Sequence, residues 1–263
     1  MIIIGEKING MFPSIRKAIE DRDEAVIIRT AERQLEEGAE YLDINTGAVS
    51  GRKEAMEWLV RTAGKVSGAK LCIDSPNAEV LEAGLRLCRE RPMLNSVQAD
   101  PEKMDALFPM AKKYGAIAIG LAMNGAGIPA DAEGRAELAA TLIASANEHG
   151  LSTGDLLIDP VLIPLSADQS CAVKSLRSIA MIKELDVPAP RTVAGLSNIS
   201  QRCSNRHLLN RTFLAMAMFA GLDAVIADTS DANLRETILA GRIILNKDVY
   251  CDSFMGAPRG KNS

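Results

Sequence analysis

Eight short apolar runs divide this chain, and nearly every one ends on a small polar or acidic residue. The first four are Ile2–Ile4 before Glu6, Tyr41–Leu42 before Asp43 and Asn45, Leu71–Ile73 before Asp74, and Met93–Leu94 before Asn95. Four more follow: Ile117–Ala122 before Asn124, Leu156–Ile158 before Asp159, Val193–Leu196 before Ser197 and Asn198, and Ala224–Ala227 before Asp228. Helix-length segments separate them, with apolar residues at spacings of three and four. Strict alternation of strand and helix predicts a parallel sheet, and eight such units predict closure into an α/β barrel, the (β/α)8 or TIM fold. A barrel of this kind does its chemistry at the carboxyl ends of its strands, so the polar terminators are expected to converge on one mouth.

The bulk properties agree with that fold. A length of 263 residues suits one such barrel, read as a single domain over 1–263, with 256–263, rich in Gly, Pro and charge, expected to be a mobile tail. The formal charge is −4 and the basic residues are scattered, which argues against nucleic acid as a partner. Met1–Gly5 is too short for a signal-peptide core, and no apolar stretch approaches the roughly 18 residues of a membrane span, so a cytoplasmic protein is expected. Five cysteines without a C-x-x-C pair fit a reducing compartment, and Cys72, inside a strand run, reads as a buried thiol. His149 and His207 lack companions at ligand spacing, so no metal site is expected.

Helices are predicted at Pro13–Glu37, stopped by Gly38, and at Glu54–Val66, where Trp58 packs toward the barrel. Asn77 reads as the cap of a helix reaching Cys88, and Pro101 as the opening of Glu102–Tyr114. Glu133–Glu148, Asp168–Leu185, Asn205–Phe219 and Asp231–Leu245 complete the set, with Met216 and Met218 expected in the core. The first strand is followed by no G-x-G-x-x-G, which disfavours a dinucleotide site.

Asp74, Asn95 and Asp159, from the third, fourth and sixth strands, offer hydrogen-bond groups in fixed directions. They suit a flat heterocycle with an amino group beside a ring N–H, because one carboxylate can accept both donors. The segment Gly195-Leu196-Ser197-Asn198-Ile199-Ser200-Gln201 is followed by Arg202, Arg206, His207 and Arg211. Glycine lets backbone approach a ligand closely, and the loops after strands seven and eight commonly hold anions in this fold.

These residues carry a resemblance. Gly5-Glu6-Lys7-Ile8-Asn9-Gly10 resembles the G-E-[RK]-I-N opening of folate-dependent corrinoid methyltransferases and of the folate domain of cobalamin-dependent methionine synthase. Leu71-Cys72-Ile73-Asp74-Ser75, Met93-Leu94-Asn95-Ser96, Ile158-Asp159-Pro160, Gly195-Leu196-Ser197-Asn198 and Asn210-Arg211-Thr212-Phe213 match the same group in the same order. The match spans essentially the whole chain and is most similar to the methyltetrahydrofolate:corrinoid-protein methyltransferases. One mild departure is Lys7, where Arg is frequent.

The resemblance implies a homodimeric barrel that binds tetrahydrofolate or methyltetrahydrofolate as substrate. Asp74, Asn95 and Asp159 would hold the pterin, and Asn198 would act catalytically at its 5-nitrogen. Gln201 and Arg206 would flank the ligand or the face that meets the corrinoid. The reaction implied is methyl transfer between that nitrogen and the cobalt of a corrinoid. The chain lacks the D-x-H-x-x-G cobalt-ligand signature, so a separate corrinoid protein would bring the cobalamin. Two alternatives stay open: a dihydropteroate-synthase-like pterin transferase, and a non-catalytic folate-binding subunit. The first would place Gly after the Asp-Pro of strand six and Arg-Lys after the Gly-x-Ser of strand seven, where this chain has Val161 and Asn198-Ile199.

Overall fold

All eight apolar runs are strands. In a computed structural model that describes residues 1–49 and 51–248, β1 (Ile2–Asn9), β2 (Tyr41–Asn45), β3 (Lys70–Asp74) and β4 (Met93–Gln98) pair in sequence order. They continue into β5 (Ile117–Leu121), β6 (Leu156–Asp159), β7 (Arg191–Gly195) and β8 (Ala224–Ala227), and β8 pairs with β1 to close a parallel barrel. The (β/α)8 expectation is met. The tail expected at 256–263 lies outside the described residues.

Around the barrel run α1 (Pro13–Asp21), α2 (Glu24–Glu36), α3 (Arg52–Ala63), α4 (Ala78–Leu85) and α5 (Pro101–Lys113). The ring continues with α6 (Ala132–Glu148), α7 (Cys171–Ile182), α8 (Arg206–Ala220) and α9 (Ala232–Ile244). Their starts follow from local chemistry. The Asn77 side chain accepts from the N–H groups of Glu79 and Val80 at 2.8 and 3.2 Å, and Pro101 opens α5, where its missing N–H costs nothing.

The single helix predicted over Pro13–Glu37 is two. Arg22 adopts a left-handed backbone (φ 57°), and the Asp23 carboxylate accepts from Ala25 N–H and Val26 N–H, so the chain stops and restarts. Gly38, at φ 100°, ends α2 as expected. Met218 is buried as foreseen, but Met216 is not core: it is half exposed on the outer face of α8. Trp58 packs partly buried against the core, and Cys72 is fully buried.

Two apolar layers hold the fold. One lies between strands and helices, with Leu42, Ile44, Ile73 and Leu94 facing residues such as Ile27, Met56 and Leu59. The other fills the barrel itself: Ile4, Tyr41, Cys72, Met93, Ile119, Leu157, Val193 and Ala224. Side chains alternate along a strand, so the residue two beyond each inward apolar one also faces inward, nearer the mouth. Tyr41 is thus followed by Asp43, Cys72 by Asp74, Met93 by Asn95, and Leu157 by Asp159. This period of two makes the polar terminators of different strands share one space.

Candidate active site

The strand ends open into a cavity of about 590 Å3 lined by Glu6, Asp43, Asp74, Asn95, Asp159, Ser197, Asn198, Gln201, Arg206 and Asp228, among others. All six residues singled out from the sequence line it: Asp74, Asn95, Asp159, Asn198, Gln201 and Arg206. Asn124 does not. The inward residue at the end of β5 is Leu121, and Asn124 lies beyond it in a turn bridged to Gly127. A cleft of about 700 Å3 between α1 and α2 is larger, but apart from Lys7 and Phe12 its lining, including Arg29, Arg33 and Gln34, is separate from the mouth.

Donors inside the barrel engage the carboxylates. Asn45 Nδ2 donates to Asp74 Oδ2 at 2.6 Å, Asn95 Nδ2 to Asp43 Oδ1 at 3.2 Å, and Ser197 Oγ to Glu6 Oε1 at 2.7 Å. Burial raises the pKa of Glu6 and Asp74, and it drives Asp43 well above the carboxylate range with help from the Asp74 charge beside it. Asp159 is buried, and burial pushes its pKa up to about 6 against the opposing N–H donors of Val161 and Gly195. Its Oδ1 accepts from Val161 N–H at 2.7 Å. The floor is therefore rich in carboxyl groups whose protonation is easily changed by a ligand.

Glu6 and Lys7 are neighbours on one strand, yet both line the cavity. The pairing of β1 with β2 slips between Gly5 and Ile8, giving β1 an extra residue that breaks the alternation. Lys7 Nζ then reaches Asp228 Oδ2 at 2.6 Å; burial is the largest single influence on Asp228 and raises its pKa, but the bonds from Lys7 and Ser230 and the Lys7 charge together leave it below the ordinary value.

The turn after β7 supplies the opposite character. Residues Leu196–Asn198 form one 3-10 turn, which leaves Asn198 exposed and without a side-chain hydrogen bond among the described residues. Its Nδ2 lies 2.9 Å from where a Cβ on Gly195 would sit, so the glycine is what lets the amide fold over the end of β7. Arg206 steadies the turn: Nη2 donates to the Ser197 carbonyl at 2.9 Å and Nε to Ser200 Oγ at 3.1 Å. Gln201 is exposed at the rim.

Asp43 and Asp228 line the mouth, as expected of the polar residues that end their strand runs, although neither is singled out as a ligand contact. Both could be placed there from the sequence. Lys7 could not, because only the slipped register brings it into the mouth. Among the described residues, no group of three His, Cys, Asp or Glu is placed to hold a metal ion, and no helix is long and apolar enough to cross a membrane.

The pattern of the pterin binding enzymes matches residues 13–228. The chain belongs to this family. It is 34% identical over 262 residues to the methylcorrinoid:tetrahydrofolate methyltransferase of Eubacterium limosum, covering 98% of this chain and 96% of that protein. It is 30% identical over 243 residues to the methionine synthase of Mycobacterium leprae, covering 88% of this chain but 20% of that much longer protein. Among solved structures, a pterin-binding barrel of like shape is the Coxiella burnetii dihydropteroate synthase with pteroic acid, at TM-score 0.72, 16% identity and 94% of both chains. The Xanthomonas albilineans dihydropteroate synthase with 7,8-dihydropteroate superposes at TM-score 0.66 and 18% identity, over 93% of this chain and 92% of that one. At these identities the structural likeness speaks for the fold alone.

Proposed function

We propose that this chain is a methyltransferase that moves a methyl group between the 5-nitrogen of tetrahydrofolate and the cobalt of a corrinoid carried by a separate protein. One observation carries this reading: a single cavity is lined by the buried Asn95 and Asp159, by the half-buried Asp74 and by the unengaged amide of Asn198. The similarity to the Eubacterium limosum protein supports the choice of reaction. Above about pH 6 the Asp159 carboxylate is ionised and can accept from both the ring N–H and the exocyclic amine of a pterin. Asp74 and Asn95 complete the polar contacts, and Gln201 and Arg206 flank the ligand at the rim.

In the methyl-donating direction the electron pair of cobalt(I) forms the new cobalt–carbon bond, while the 5-nitrogen keeps the pair of the broken carbon–nitrogen bond and takes up a proton. A tertiary amine leaves poorly without that proton. Asn198 is neutral and can donate to the nitrogen lone pair or accept from the protonated nitrogen, so it favours the changing charge more than either ground state. The reverse reaction uses the same contacts, and concentrations set its direction.

The proposed assembly is a homodimer working in the cytoplasm. An apolar groove formed by Leu176, Ala215, Met216, Phe219 and Ala220 supports the first, and the free state of the described cysteines supports the second. A dihydropteroate synthase reading is less well supported, because Ser197 is followed by Asn198-Ile199 and Asp159-Pro160 by Val161.

Single-turnover stopped flow with a cobalt(I) corrinoid protein and methyltetrahydrofolate tests the proposal. Asn198→Ala is expected to slow methyl transfer by about 10²-fold or more while weakening folate binding by less. Equal losses in rate and affinity would reduce Asn198 to a binding contact. A folded wild type that binds folate but transfers no methyl in either direction would overturn the reaction itself.

A further inference from the structure

Arg135, in the first turn of α6, is fully buried. Its Nε donates to the Pro129 carbonyl at 3.0 Å, and Nη1 contacts the carbonyls of Pro160 and Val161 at 3.2 and 3.3 Å and Ser175 Oγ at 2.9 Å. Nη2 is buried with no partner among the described residues. No carboxylate among the described residues pairs with this cation at ion-pair distance. A buried guanidinium served only by neutral oxygens is a costly way to fill a core, so what it holds in place matters.

It holds the loop after β6. Val161 sits at φ 62°, a left-handed backbone that a β-branched residue resists. In that conformation its N–H points back to Asp159 Oδ1 at 2.7 Å. Relaxing Val161 to an extended backbone would turn both its N–H and its carbonyl, breaking the bond to Asp159 and the bond to Arg135 together. The carbonyls on either side of the strained residue are the two that Nη1 grips, and Ser175 and Pro129 fix the guanidinium from α7 and from the loop before α6. The positive charge of Arg135 also favours the ionised form of Asp159.

We propose that Arg135 is a positioning residue for folate recognition: it clamps the Pro160–Val161 carbonyls, keeps Val161 left-handed, and thereby aims the Asp159 carboxylate into the mouth. This rests on the reading of Asp159 as a folate contact. The position that must be left-handed is the one where glycine would need no clamp, so Arg135 and Val161 act as a pair.

Calorimetric titration of the full chain with tetrahydrofolate at pH 7.5 tests this. Arg135→Met should weaken binding by about tenfold, the scale of one lost charge-assisted hydrogen bond. In an Asp159→Ala background the same change should cost less than about twofold, because the route to the ligand is already gone. Adding Val161→Gly to Arg135→Met should recover most of the affinity, since glycine adopts the left-handed backbone without a clamp. A loss of equal size in both backgrounds, a loss that Val161→Gly leaves untouched, or no loss would overturn the proposal. If Arg135→Met does not fold, Arg135→Lys keeps a cation but has one nitrogen for carbonyls on both sides, and the same coupling to Asp159 is required of it. Absence of tetrahydrofolate binding by the folded wild type would instead sink the functional reading on which all this stands.

Discussion

Asp159 is held at odds with its own solvation. Burial lifts its pKa from 3.8 to about 6, so the folded chain keeps a proton over a range where the unfolded chain has lost it. In that window the folded state binds more protons, hence stability falls as pH rises from about 4 to about 6, and the full penalty persists above. At about 1.4 kcal/mol per pH unit, the penalty at neutral pH is on the order of 3 kcal/mol. Asp159→Asn removes the charge but keeps an oxygen for the Val161 N–H. The ligand-free variant should therefore resist urea better than wild type by about 2–3 kcal/mol at pH 7.5, with the gain fading toward pH 4. It should also bind tetrahydrofolate more weakly, having one acceptor oxygen where two donors must be met. A gain independent of pH, or a loss at pH 7.5, would mean that the buried carboxylate is not the strained group described. Asp43 and Asp74 are shifted in the same direction, so the wild-type slope should exceed what Asp159 alone produces.

At the scale of elements, the end of β7 shows how a strand and its turn share one task. Gly195 has φ −75° and ψ 88°, a backbone alanine can adopt, so its lack of a side chain serves space and not conformation. A Cβ there would press on the Asn198 amide, so Gly195→Ala should leave the melting temperature within a few degrees but slow methyl transfer by about tenfold or more. Comparison of melting curves with single-turnover rates checks this, and an unchanged rate would show that Asn198 does not act from its observed position. Much of this architecture was legible in the sequence. Inward-facing residues recur with period two, so an apolar run followed by Asp or Asn announces both a strand and what it delivers to the mouth. The break between α1 and α2 was not legible, because Asp23 reads as one more surface residue of a long amphipathic helix until Arg22 turns left-handed. Asn124 misled because β5 ends its inward face on Leu121. Arg135 carried no signal at all: an isolated arginine in a helix acquires meaning only when the fold brings Pro129, Pro160, Val161 and Ser175 around it.

On the scale of the whole molecule, a closed barrel separates two surfaces that must not compete. The mouth lies at the strand ends, where folate and a corrinoid protein are proposed to meet, whereas the helices present their outer faces to the side. On that side Phe219 is 82% exposed and Met216 51%, beside Leu176 and Ala220 in a groove of about 430 Å3. This apolar groove is the surface proposed above for the homodimer contact, and a two-fold contact uses each residue twice. Burying one phenylalanine is worth about 1.5–3 kcal/mol, so its loss from both halves of a symmetric interface costs about 3–6 kcal/mol, or roughly two to four decades in the dimer dissociation constant. Phe219→Glu should therefore sediment as a monomer at micromolar concentrations at which the wild type sediments as a dimer. Its affinity for tetrahydrofolate should be unchanged, because the residues proposed to hold the ligand, Asp74, Asn95, Asp159 and Asn198, lie at the strand ends and not on the outer face of α8 that carries Phe219. A wild type that is monomeric throughout the micromolar range, or a variant that stays dimeric, would remove the groove from the proposed interface. A variant that turned monomeric and lost folate affinity would show that the two surfaces are coupled through α8, which carries Phe219 near its end and Arg206 at its start.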